Sequence, residues 1–214
     1  MEINIVQPLY QQAYREFKKL ILTGQISPGE KIVMSKLAEQ YNISRTPLRE
    51  ALRQLQTEGL IVQDHTSMKV VELNKTDFLE LFHCRLLLEK EVIRMIVEEI
   101  TEAKLEKVYE VLMESNDAIE VGDSFKILEL NTQFHELLIM SCSNYQLAHL
   151  LNHVRSLLLI YRANINQKPQ YSKEIYHEHL EIYNAIKSRD VERAVEVIEE
   201  HLKNDQIRGQ SVFE

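Results

Sequence analysis

The chain has only two cysteines in 214 residues, Cys84 and Cys142, with no CxxC pair between them. That excludes a disulfide framework and leaves both as expected reduced core residues. Glycine is also sparse, five in all, and sits at the ends of periodic segments rather than in a phosphate-cradling loop. Nucleotide chemistry is therefore not expected. Nowhere do 18 apolar residues follow one another, and the opening MEINIVQPLY has no basic flank leading into an apolar run. The expectation is a chain that is neither secreted nor membrane-spanning, with a cytoplasmic home. There is no low-complexity stretch and no clear internal repeat. Positive charge is lacking overall, at net −8, so the whole chain does not coat nucleic acid.

The acid is unevenly spread. Residues 1–72 hold 9 Lys and Arg against 8 Asp and Glu, net +1, which leaves 16 against 25, net −9, for residues 73–214. A hydrophobic share of 44% can bury a sizeable core, and the length suits one or two domains.

Residues 37–60, LAEQYNISRTPLREALRQLQTEGL, outline two helices around a tight turn. The first is expected from about Ser35 to Tyr41, with Leu37 and Ala38 inward. Asn42 tolerates the left-handed turn, and Ile43 plugs the angle between the helices. Ser44 is placed as N-cap and Pro47 in the first turn, where a missing amide hydrogen costs nothing. Leu48, Leu52 and Leu55 then face the core, leaving Arg45, Thr46, Arg49 and Arg53 outside. Arginine can fork onto guanine or clamp a phosphate, and the N-terminal residues of such a helix reach base edges. The plain alternative is a solvated helix face. Gly59 closes the helix, and two short apolar runs flanking Gln63–Ser67 predict a two-stranded wing.

With these residues in view, 9–72 resembles the winged-helix domain of GntR-type bacterial transcription regulators. Gly24 to Gly29, GQISPG, is similar to that family's GxxxPG segment, and Ser44 to Leu52, SRTPLREAL, to its recognition helix SRTPVREAL. The resemblance implies operator contacts by Arg45, Thr46 and Arg49. The family commonly has arginine where Ser35 stands, and a basic wing tip with glycine where Met68 stands. Here the tip is Asp64, His65, Thr66, Ser67 and Met68, so reading is expected to lean on the major groove, with Lys36 and Lys69 placed to meet phosphates.

Beyond residue 73 the pattern is helical throughout. Asn74 or Thr76 can cap a first long helix ending near Ile100; others are expected at about Thr101–Val121, Asp123–Met140, Tyr145–Asn164, Pro169–Lys187 and Asp190–Lys203. The fold class is mainly α: an N-terminal winged helix-turn-helix with a small β wing over 1–72, a linker over 73–76, and an antiparallel bundle of about six helices over 77–214.

One polar constellation stands out in the bundle. Asn131 and His135 lie four apart on the face that carries Leu128, Leu138 and Ile139. His179 precedes Ile182, Tyr183 and Ile186 at helical spacing, whereas His177 lies about 200° away on the wheel. His201 follows Ala194, Val197 and Ile198 in the same way. A single inward histidine is usually a satisfied core residue. Three, with an amide oxygen, suit a divalent metal: zinc first, with nickel, manganese or iron as alternatives.

Residues 77–205 resemble the all-helical FCD effector domain of the family's FadR branch. Its metal-binding members carry Asp or Asn four residues before the histidine of an FH pair, here Asn131 and His135 after Phe134, with later histidines matched by His179 and His201. Arg85 matches the arginine of the family's RxxLE segment, here Arg85 to Glu89. The resemblance implies a homodimer that binds a double-stranded operator and senses a small organic acid, gripped in part by Arg85. Four neutral ligands leave the ion's 2+ charge uncompensated, which favours an anionic effector. A salt bridge is the plain reading of Arg85. Two other functions fit three histidines: a metal-dependent enzyme, which lacks an HExxH segment and has Glu129 and Glu136 off the inward face, or a bundle that only dimerises the reader.

Overall fold

The computed structural model describes residues 8–64, 67–72, 74–166, 169–211 and 213. The chain folds as two compact units, Met1–Leu73 and Asn74–Glu214. Among the described residues no helix is long and apolar enough to cross a membrane.

The first unit is three helices and a small sheet: α1 (Leu9–Leu22), β1 (Lys31–Ile32), α2 (Met34–Gln40), α3 (Arg45–Thr57), β2 (Ile61–Gln63) and β3 (Met68–Val70). Helix α3 packs Leu48, Ala51, Leu52 and Leu55 against α1, whose Phe17 and Ile21 are buried. Lys18 Nζ reaches Glu58 Oε2 at 2.9 Å and the Tyr14 hydroxyl at 2.9 Å, and Tyr14 also bonds Glu58. These contacts tie α1 to the end of α3. Asn42 has φ 50°, the left-handed turn the sequence predicts, and Gly59 at φ 76° ends α3. The Leu60 amide then donates to the Leu55 carbonyl at 3.0 Å, closing the last turn.

Ser44 occupies the N-cap position expected of it, but its side chain makes no capping bond. Leu37 and Ala38 are half-buried while Ser35, Lys36, Glu39 and Gln40 of the same helix are exposed. The wing has a third strand: β1 pairs antiparallel with β3, giving the order β1-β3-β2. Two residues are too few to show a period, so this strand had no sequence signal. Of the wing tip, His65 and Thr66 lie outside the described residues.

The second unit is a helical bundle: α4 (Lys75–Glu99), α5 (Glu102–Val121), α6 (Ser124–Ile139), α7 (Tyr145–Leu157), α8 (Leu159–Asn166), α9 (Pro169–Lys187) and α10 (Val191–Gln210). Helix starts are written in the sequence: Asn74, Asp123, Asn144 and Asp190 each accept from the backbone amide three residues on. Gly122, at φ 74°, ends α5. Lys75 and Thr76, expected in the linker, are helical, and Leu73 lies outside the described residues. Helix α4 packs on α10 and α7, while α5 packs on α6 and α9. The core includes Ile93, Ile96, Val108, Leu112, Leu130, Phe134, Ile182, Ile186 and Ile198.

The expected fourth helix is two, broken at Leu158. Leu158 through Ala163 are all buried, including Arg162, and one face of an amphipathic helix cannot hide six consecutive side chains. The last helix runs to Gln210, past the expected end at Lys203. Cys84 is exposed rather than a core residue, and Cys142 is half-buried.

Removing the Asn74 cap tests the capping account. Its side chain accepts from the Asp77 amide at 3.0 Å and donates to the Asp77 carboxylate at 2.7 Å. Asn74→Ala should cost about 1 kcal/mol in urea unfolding of the helical unit; an unchanged midpoint would contradict it.

Candidate functional site

On α3, Arg45, Thr46, Arg49 and Arg53 are all exposed. Arg45, Arg49 and Arg53 recur every four residues and so share an exposed face of the helix that flanks the buried one. Lys36 is exposed on α2, and Lys69 is half-buried on β3. The third strand adds a residue that the sequence reading missed: Lys31 stands directly across from Lys69 in the β1-β3 pairing. Like charges facing one another across a ladder are unfavourable alone and favourable only beside an anion.

In the bundle, α6, α9 and α10 bring His135, His179 and His201 together. Their relative exposures are 1%, 3% and 1%. The ring centroids of the three pairs lie 4.9, 5.3 and 4.8 Å apart, and His179 stacks on Phe134 at 4.1 Å. His135 Nε2 is 3.2 Å from His179 Nε2, and one nitrogen from each of the three lies within 4.8 Å of the others. Nitrogens at about 2.0–2.1 Å around a tetrahedral ion are separated by about 3.3 Å, so the first pair already stands near that spacing.

The outer nitrogens are held by carboxylates. His135 Nδ1 lies 3.1 Å from Glu89 Oε2, and His201 Nδ1 lies 2.7 Å from Glu178 Oε2. Each carboxylate sits against Nδ1, so that Nε2 is the nitrogen turned inward, as in carboxylate-histidine-metal arrangements. His201 Nε2 is buried without a hydrogen-bond partner among the described residues; the nearest acid, Asp205 Oδ2, is 3.6 Å away. Burial pushes His135 well below the usual histidine range, with the Arg155 charge adding to it, and burial with His201 and His135 does the same to His179. Both are neutral imidazoles, the form that binds metal. A buried, unpartnered ring nitrogen on His201, two neutral rings and one pair near tetrahedral spacing fit a divalent ion.

Around the histidines lies a buried ionic network. Arg85, fully buried on α4, donates to Glu89 Oε1 at 2.8 Å and to Asp205 Oδ2 at 3.0 Å. Arg155 on α7 also bonds Glu89, and Arg162 on α8 donates to Asn131 Oδ1 at 2.9 Å. Burial opposes the charge on Glu89 and on Asp205. Arg155 and Arg85 nonetheless hold Glu89 well below the ordinary range, and His201 and Arg85 do the same for Asp205. Arg208 grips Glu178 with both terminal nitrogens, at 2.9 and 2.6 Å. A cleft of about 610 Å³ between α9 and α10 shares Glu178 and Arg208 with the site.

Asn131 is buried as expected, yet its amide oxygen is taken by Arg162. Arg85, expected to grip an acid with a salt bridge as the plain alternative, pairs with Glu89 and Asp205. His177, Glu129 and Glu136 are not among the buried residues, as the wheel predicts. The sequence reading missed Arg155, Arg162, Glu178, Asp205 and Arg208. Spacing from an inward residue would have found most of them: Asp205 and Arg208 lie four and seven after His201, and Arg155 lies four after buried Leu151.

A helix-turn-helix unit with a wing, joined to a helical bundle with a buried polar centre, defines a class of two-domain DNA-binding regulators. Residues 9–67 match the gntR family of bacterial regulatory proteins, and residues 80–204 match the FCD domain. The chain is 32% identical over 200 residues to the HTH-type transcriptional regulator YdhC of Bacillus subtilis, covering 92% of this chain and 89% of that one. It is 26% identical to the HTH-type transcriptional repressor RspR of Escherichia coli, covering 94% and 89%. The solved structure of E. coli McbR/YncC shares the fold, with a TM-score of 0.80 at 22% identity over 98% of this chain and 100% of that one. The chain belongs to the GntR family, FadR subfamily, as a transcription regulator with an FCD domain. Its relatives are transcription regulators and not enzymes.

Glu89 holds two arginines and a histidine, so Glu89→Ala should destabilise the bundle by about 3–5 kcal/mol by leaving buried charge unpaired. Urea unfolding measures this, and a loss under about 1 kcal/mol would place the network outside the folding core.

Proposed function

We propose that the chain is a ligand-responsive repressor that binds a palindromic operator as a homodimer and senses a small carboxylate at a divalent-metal site in its helical unit. The observation that carries the sensing part is the convergence of three buried histidines with an inward nitrogen left unpartnered. His135, His179 and His201 would hold the ion, with Asn131 as an oxygen donor once Arg162 shares or releases it. Zinc suits imidazole ligands best, with nickel, manganese and iron as alternatives. Bound there, the ion supplies Lewis-acid attraction for an anion. Arg85 contributes a positive wall to the same space.

For DNA, Arg45, Thr46, Arg49 and Arg53 form the reading face, and Lys36 and Lys69 meet the backbone. A palindrome read by two such helices requires two copies spaced about 34 Å apart, one turn of duplex. An effector shifts that spacing only through its difference in affinity between the two states. The name of RspR, a repressor, supports repression as the sign.

Arg49→Ala should weaken specific binding by about 1–3 kcal/mol, read by titrating a fluorescent duplex that the unmodified protein has selected from random sequence. Undiminished specific affinity would remove α3 as the reader. The double change His135→Ala and His179→Ala should abolish bound metal in elemental analysis of protein purified without a histidine tag. Full retention would make the histidines structural.

A further inference from the structure

The core around the three histidines is unbalanced in charge. Arg85, Arg155 and Arg162 are 0%, 4% and 3% exposed, and the carboxylates buried as deeply on the same network are Glu89 and Asp205, at 3% and 4%. Arg208 and Glu178 pair fork to fork at the edge and cancel one another. Three guanidiniums against two carboxylates leave one positive charge among the rings. A divalent ion would raise it to three.

Each of the three arginines also has a donor to spare. Arg85 Nη2, Arg155 Nη2 and Arg162 Nε are buried with no acceptor among the described residues. A buried charged donor without a partner is costly, and three in one buried cluster mark a site built for something that accepts. The three are not equivalent. Burial lowers Arg85, but Glu89 and Asp205 outweigh it and hold the group above its ordinary range. The side-chain acceptors for Arg162 are the neutral oxygens of Asn131 at 2.9 Å and Thr132 at 3.4 Å. Of the three, Arg162 is the one with no carboxylate bonded to it among the described residues.

We propose that Arg85, Arg155 and Arg162 form a cradle for a dianion beside the three histidines, so that the acid sensed there carries two carboxylates and Arg162 selects for the second. This rests on the carboxylate-sensing reading above and narrows it. A monocarboxylate entering with a divalent ion would leave two positive charges buried, whereas a dicarboxylate returns the core to the charge it has without metal. Its oxygens also suffice for the three spare donors, and planar guanidinium forks match carboxylate geometry.

Succinate and butyrate share a four-carbon chain and differ by one carboxylate, which makes them the probes. In calorimetric titrations of the full chain with zinc chloride present, succinate should bind at least about tenfold more tightly than butyrate. Arg162→Gln should shrink that ratio to about threefold or less by weakening succinate more than butyrate. Equal affinity for the two acids in the unmodified chain overturns the proposal, whether or not the variant folds. An undiminished ratio in a folded Arg162→Gln protein removes Arg162 as the selector. Inorganic phosphate binding more tightly than succinate overturns the dicarboxylate assignment. Failure of every acid to bind overturns the carboxylate-sensing reading itself and this inference with it.

Discussion

The bundle depends on one carboxylate. Glu89 accepts from Arg85 on its own helix, from Arg155 on α7 and from His135 on α6, all out of contact with water. Isolated, such a carboxylate would protonate rather than stay charged in the core. Its three partners keep it ionised, and in return it fixes the position of each. Arg85 carries the chain of contacts on to Asp205 and α10, and Asp205 carries it to Arg208 and Glu178, which orients His201. The histidines face inward because acids behind two of them hold their outer nitrogens.

Buried ion pairs seldom add net stability over an apolar core of the same volume. A network of this size in the middle of a small bundle therefore argues for use rather than for strength. It keeps imidazoles neutral and guanidiniums charged within a few ångströms, which suits a site that takes up a cation and an anion together. Switching between two states is easier to build on such a core, since a ligand that changes its charge changes the relative stability of its packings.

Much of this was legible in the residues. The turn at Asn42, the caps at Asn74, Asp123 and Asp190, the stop at Gly122 and the inward set of three histidines all follow from local chemistry that one sequence displays. What stayed hidden depends on contacts far apart in the chain. Strand β1 has two residues and exists only because β3 pairs with it. The break at Leu158 lies in a run without proline or glycine and answers to burial on all sides. Arg155 and Arg162 find their partners, Glu89 and Asn131, on other helices, so the pairings themselves are not written in local spacing. The final turns of α10, with Asp205 and Arg208, extend beyond the last clear apolar stripe.

The claim that the polar centre governs the DNA-reading helix is tested most directly by one titration in two conditions. A duplex selected by the protein from random sequence is titrated with the full chain, first with chelator alone, then with zinc chloride and succinate. Operator affinity should change by about 5–150-fold between the two, the usual range of coupling between two sites. The same affinity in both conditions, with metal and acid shown to be bound, would contradict the claim.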